Sequence, residues 1–242
     1  MQLLVEDLVR ERNGTLIASF PRSGSTLTAK FVTHVMRRNF PIARHALATA
    51  LLPTMGRSVE ASEIYDIVGV VARTHAMDDL GRRRTVFIFR SPDDAVLSYY
   101  VKFKAIADTW KLRRFLRRNL KEWAEGVDKA YELASRGDPD LHLFCYENFL
   151  ADAESESRKV IRFLGLAEPE GFGAMIAELN QEYRSRAGQR EANPYQTAYG
   201  TVGSSQNFYT KKMRTLIEET YRPKFERLRA LTVQQEIIRL AS

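Results

Sequence analysis

Phe20-Pro21-Arg22-Ser23-Gly24-Ser25-Thr26-Leu27 joins two segments of different periodicity. Upstream, Thr15–Phe20 is a compact apolar run of the kind that fills a buried parallel strand. Downstream, Ser25–Arg38 repeats apolar residues at helical spacing through Leu27, Phe31, Val35 and Met36. The eight residues therefore read as a strand-loop-helix junction. A glycine-containing loop in that position aims several backbone N–H groups at one point, and the helix start adds partial positive charge. Ser23, Ser25 and Thr26 add hydroxyl donors, and Arg22 adds a full charge. The junction predicts a cradle for a phosphate-like anion. A helix N-cap with a tight turn accounts for the same residues without a ligand. The triphosphatase pattern Gly-x-x-x-x-Gly-Lys-[Ser/Thr] is absent, so no lysine stands where a β/γ-phosphate would need one.

Working outward, three more apolar runs read as strands: Ile67–Arg73, Thr85–Arg90 and Leu141–Tyr146. Helical stretches separate them. Pro92–Ala107 opens on proline and two aspartates, a favourable helix start. Trp110–Arg136 carries charges around an apolar stripe, and Glu154–Leu164 stops at Gly165. Lys211–Leu231 is helical in pattern, with Pro223 expected to bend or break it. Strand and helix in alternation predict an α/β fold, a central parallel β-sheet flanked by helices, as a single domain over residues 1–242. Phe40–Ser62 and Arg184–Gln206 read as long loops, a length often given to lids or binding walls.

Two further signals fall at predicted strand ends. In Arg90-Ser91-Pro92-Asp93-Asp94-Ala95-Val96-Leu97-Ser98-Tyr99-Tyr100, the arginine ends a strand and Ser98 lies about two turns into the next helix. Both could reach an anion beside the sheet's carboxyl edge, where open α/β sheets bind ligands. Arginine suits a phosphate because its fork donates two hydrogen bonds at once. An arginine that caps the strand and pairs with Asp93 or Asp94 is the simpler reading of that segment alone. In Arg73-Thr74-His75, a histidine that can accept a proton near neutral pH faces the same expected crevice. His34, His45 and His142 are not comparably placed.

The bulk properties narrow the field less. The chain has 242 residues and a formal net charge of +7, with a pI of about 9.5. A basic balance suits anionic partners without choosing among them. A single cysteine, Cys145, excludes an intrachain disulfide and a cysteine-rich zinc site, and its apolar neighbours predict burial. No segment approaches the roughly 20 apolar residues of a membrane span. No signal-peptide pattern opens the chain, so a cytoplasmic protein is expected.

Taken in this order, the motifs resemble those of the cytosolic-type sulfotransferase family. Phe20–Leu27 is similar to the family's Tyr-Pro-Lys-Ser-Gly-Thr-Thr-Trp, and Arg90–Tyr100 to its Arg-Asn-Pro-x-Asp-x-x-x-Ser-Tyr-Tyr. Arg73-Thr74-His75 resembles its Lys-Thr-His, Tyr146-Glu147-Asn148 its Tyr-Glu-Asp, and Phe163-Leu164-Gly165 its Phe-Leu-Gly. Gly171-Phe172-Gly173-Ala174-Met175 is a weaker match to Ser-Phe-x-x-Met.

The resemblance implies a P-loop sulfotransferase fold and a transferase using 3′-phosphoadenosine 5′-phosphosulfate (PAPS) as co-substrate, with no metal. The acceptor would be a hydroxyl or amine of a small molecule or glycan, and nucleic acid would not be a partner. Arg22, Ser23, Gly24, Ser25, Thr26 and Leu27 would bind the 5′-phosphosulfate, and Arg90 and Ser98 the 3′-phosphate. Tyr146 and Phe172 would contact the adenine. His75 would take the acceptor's proton, with Arg22 and Arg73 completing the catalytic set, and Glu147 or Glu60 are the reserve bases.

The departures from the family pattern are specific. Arg22 stands where the family has lysine, and Leu27 where it has tryptophan. The late Arg-Lys-Gly-x-x-Gly-Asp-Trp-Lys-Asn segment falls on Ala198–Asn207, which keeps Gly200 and Gly203 but not the Arg-Lys pair that grips the 3′-phosphate. Arg190 or Lys211 is the expected compensation. The family's dimer motif is not recognisable. The alternative readings are a degenerate, non-catalytic nucleotide sensor of the same fold and a P-loop kinase, the latter lacking its lysine.

Overall fold

The structure, a computed structural model, describes residues 2–4, 14–39, 58–60, 71–75, 77–103, 109–188 and 209–241. Its sheet is built from β2 (Thr15–Ser19), β4 (Val71–Thr74), β5 (Thr85–Phe89) and β6 (Leu141–Cys145), in the spatial order β4-β2-β5-β6. All three pairings are parallel: Ala18 lies in register with Thr74 and with Phe87, and Phe89 with Cys145. Parallel strands put every carboxyl end on one edge. The loops after Ser19, Thr74, Phe89 and Cys145 therefore meet there.

The expected fold class holds, and the strand predictions shift only at their ends. Phe20, Arg90 and Tyr146 each lie one residue past the strand, and Tyr146 opens a short helix instead. Of the Ile67–Arg73 prediction, residues 67–70 lie outside the described residues, and the strand runs through Thr74. A two-stranded antiparallel pair, β1 (Gln2–Leu4) with β3 (Ser58–Glu60), corrects the reading of residues 40–62 as all loop.

The helices are α1 (Ser25–Asn39), α2 (Pro92–Phe103), α3 (Thr109–Ser135), α4 (Tyr146–Ala151), α5 (Ala153–Phe163), α6 (Phe172–Gly188), α7 (Lys211–Leu216) and α8 (Arg222–Ala241). Residues 184–188, predicted as the start of a loop, instead complete α6. α5 ends as predicted at Gly165, which adopts a left-handed φ of 70° while Leu166 N–H bonds back to the Ile161 carbonyl at 2.9 Å. Pro223 has the predicted effect one turn early. It lacks the N–H that would bond four residues back, and a wide π turn at Ile217–Tyr221 precedes it.

Alternation along the strands divides the core into two layers. Ala18, Phe87, Phe89, Leu143 and Cys145 pack with α2, α3 and α8, around Tyr100, Trp123, Phe225 and Leu228. Ile17, Val86, Ile88 and Phe144 face the other way, against Phe31 and Val35 of α1, Val160 of α5 and Ile176 of α6. Phe87, Phe89 and Phe144 are each at most 2% exposed. Burial of each such side chain contributes about 1.5–3 kcal/mol. Because β2 connects toward β4 while β5 lies on its other side, the helices after β2 and β5 leave on opposite faces. A crevice opens between them at the carboxyl edge.

Candidate active site

The predicted loop crosses the mouth of that crevice. Arg22 and Gly24 take left-handed φ angles of 71° and 111°, which turn the chain sharply between β2 and α1. Gly24 has a second reason to be glycine: a Cβ there would come within 2.8 Å of the Tyr146 ring. The turn is closed by Ser23 N–H to the Phe20 carbonyl at 3.2 Å, and by Leu27 and Thr28 N–H to the Gly24 carbonyl at 3.0 and 3.1 Å. No acidic residue stands in the first turn of α1, and the N–H groups that open a helix have no acceptor within it. The Ser23 hydroxyl is fully buried and has no hydrogen-bond partner among the described residues. A buried hydroxyl in that state beside a helix start fits an anion with oxygen acceptors. Ser25 is buried and Thr26 exposed, so the loop presents donors at two depths.

Arg90 leaves the end of β5 and is 4% exposed. Its guanidinium stands 3.8 Å from the fully buried Asp94 carboxylate and 4.8 Å from the centre of the Tyr146 ring. The pairing with the following helix is thus present, and so is the position at the crevice: the two readings of this arginine are compatible. Ser98, 1% exposed, accepts a hydrogen bond from Arg22 Nε at 3.3 Å. The two separate sequence signals converge on one face of α2.

His75 follows β4 and is exposed. Its Nδ1 lies 2.8 Å from the Ser19 carbonyl and 3.3 Å from the Ser19 hydroxyl. A carbonyl only accepts, so the short contact requires Nδ1 to carry the proton and donate it. In the neutral ring, Nε2 then holds the lone pair. Arg73 lies two residues back, in register with Ile17 and half-buried.

Other expected residues sit deeper. Tyr146 is 1% exposed, wedged between Gly24 and Arg90, so it supports the loop from beneath. Phe172 is 2% exposed at the start of α6, in the same apolar layer as Leu27. Neither ring offers a face to an adenine in this arrangement, which corrects the role the resemblance implied for them. Gly200 and Arg190 lie outside the described residues. Cys145 is buried as predicted, and burial pushes its thiol well above the usual thiol range. His34 is exposed on α1, and His142 is buried against Phe163.

Three supporting residues were not visible as such in the sequence. Glu147 accepts Ser91 N–H at 2.9 Å and the Cys145 thiol at 3.4 Å, tying the ends of β5 and β6 together. Trp123 of α3 donates its indole N–H to the Arg90 carbonyl at 3.1 Å. Tyr209 donates its hydroxyl to the Asp93 carbonyl at 2.7 Å, and burial first, then the Asp93 and Asp94 charges, raises its phenol well above the ordinary value. The Tyr-Glu-Asn element at a strand end was the available signal for Glu147. The other two contacts join residues 33 and 116 positions apart, a separation that no local pattern encodes.

A strand-loop-helix anion cradle, two arginines on one helix face and a histidine on the neighbouring strand define a sulfuryl- or phosphoryl-transfer type of crevice. Residues 12–234 match the sulfotransferase domain, and the chain belongs to that family. No curated protein matches the sequence significantly. Among solved structures, the chain is similar to mouse sulfotransferase SULT7A1 complexed with PAP, at 18% identity and a TM-score of 0.58, over 96% of this chain and 94% of that one. A sulfotransferase from Alicyclobacillus acidocaldarius matches at 12% identity and a TM-score of 0.47, over 90% and 95% of the two chains. The first likeness shows that the fold is that of a sulfotransferase. Among the described residues, no helix is long and apolar enough to cross a membrane.

Proposed function

We propose that residues 1–242 act as one PAPS-dependent sulfotransferase unit that moves a sulfuryl group to a hydroxyl or amine of a small-molecule or glycan acceptor. The observation that carries the reading is the convergence of the Arg22–Thr26 loop, Arg90 and Ser98 on one crevice, with His75 beside it. When bound, the donor supplies the sulfuryl group, whose bond to the phosphate oxygen breaks as the bond to the acceptor forms.

The chain's residues do the rest. The loop N–H groups, the Ser23 hydroxyl and the start of α1 hold the 5′ end and stabilise charge on the departing phosphate, as preorganised donors do in related transfers. Arg90 with Ser98 addresses a 3′-phosphate, the group that separates this nucleotide from ATP. Ser19 fixes the tautomer of His75, so that Nε2 receives the acceptor's proton as the new S–O or S–N bond forms.

The test is transfer of labelled sulfur. Incubating the chain with donor labelled at sulfur and a panel of phenols, sugars and amines is expected to label at least one acceptor. One bisphosphate nucleotide should be released per label transferred. Tight binding of the nucleotide with no transfer to any acceptor in the panel would favour the non-catalytic sensor instead.

A further inference from the structure

Two departures from the family pattern, Arg22 for lysine and the missing Arg-Lys pair, meet at one contact. Arg22 stands at a left-handed φ of 71°, an unusual conformation for a residue with a side chain. From there its Nε reaches across the crevice to the Ser98 hydroxyl at 3.3 Å, a residue 76 positions away. Ser98 follows Asp94 by four residues on α2, so the two share a helix face. Arg90 stands at Asp94 and Arg22 at Ser98. Two guanidinium groups thus bracket one turn of α2.

We infer that Arg22 is a ligand of the donor's 3′-phosphate, taking over there from the absent Arg-Lys pair. The inference rests on the donor proposed above. Charge supports it. Arg90 is partly neutralised by Asp94, and Ala198–Asn207 contains no lysine or arginine. A phosphate beside Ser98 therefore needs a second cation, and Arg22 is the one whose side chain touches Ser98.

Chemistry explains the choice of arginine. Nε can stay on Ser98 while the two Nη groups serve as further donors to phosphate oxygens. Lysine has one nitrogen and would hold either the hydroxyl or the anion as a point charge. The same turn keeps the Arg22 backbone in the 5′ cradle, so one residue spans both phosphates of the nucleotide.

Calorimetry on the full chain decides the point, with adenosine 3′,5′-bisphosphate and adenosine 5′-monophosphate as probes. Arg22→Lys, which keeps charge and backbone, is expected to lose about 10- to 100-fold in affinity for the bisphosphate, the worth of a charge-assisted hydrogen bond. Its affinity for the monophosphate should stay near that of the unaltered chain. Ser98→Ala should show the same one-sided loss, and thermal melts confirm that both variants fold. Equal weakening of both nucleotides by Arg22→Lys would place the side chain on the 5′ group alone and overturn the inference. A different failure has a different signature: an unaltered chain that does not prefer the bisphosphate would overturn the donor reading itself.

Discussion

His75→Ala is expected to lower sulfuryl transfer by about 10²–10⁴-fold, the usual worth of a positioned general base, while leaving the affinity for adenosine 3′,5′-bisphosphate unchanged. The separation follows from geometry. His75 stands on β4, and its Nδ1 is held by Ser19, whereas the anion cradle is built from the β2–α1 loop and α2. The ring is exposed, so its removal costs the fold little beyond one hydrogen bond, worth about 0.5–1.5 kcal/mol. Steady-state turnover and equilibrium binding, measured on the same preparation, check both halves of the expectation. Full activity in the variant would mean another base. Glu147 is poorly suited to that role, because both its carboxylate oxygens are already engaged, by Ser91 N–H and by the Cys145 thiol. Glu60, the end of β3, would then be the residue to replace.

Arg90→Ala is expected to remove nucleotide binding and to destabilise the fold together. Asp94 is fully buried, and its partners in this corner are the Arg90 guanidinium at 3.8 Å and the Ser91 hydroxyl at 3.3 Å. Removing the cation leaves a buried carboxylate short of its counter-charge, a loss of about 3–5 kcal/mol. For a chain of this size that is on the order of a 10 °C drop in melting temperature. The two effects can be separated. Arg90→Ala combined with Asp94→Asn removes the orphaned charge and should recover much of the stability, yet nucleotide binding should stay lost. If binding returned with stability, Arg90 would be a strand-end cap and no more.

What could be read from the chain alone followed local chemistry. The Phe20–Leu27 loop was legible because a strand period, a glycine and a helix period adjoin within a few residues. The spacing from Arg90 to Ser98 was legible because it is set by one helix. Strand order was not, since β2 sits between β4 and β5 through contacts that no neighbouring residues announce. The pairing of β1 with β3 spans more than 50 residues and left no local mark. The site followed the same division. His75 was visible as a histidine at a strand end, but the proton on its Nδ1 became assignable only with the Ser19 carbonyl beside it. Arg22 was read as a 5′ ligand from its place in the loop. Its reach to Ser98 comes from a backbone turn that sequence does not specify for an arginine. Tyr146 and Phe172 were assigned by resemblance, and packing places both in the interior.

The central claim is that the crevice between β2 and β5 recognises a nucleotide by phosphates at both its 3′ and 5′ positions. Calorimetric titration of the unaltered chain with adenosine 3′,5′-bisphosphate and, separately, with ATP tests it most directly. The account predicts clear binding of the bisphosphate and much weaker binding of ATP, since the loop lacks the lysine that a triphosphate needs and α2 presents Arg90 and Ser98 to a 3′-phosphate. Tighter binding of ATP than of the bisphosphate would contradict it.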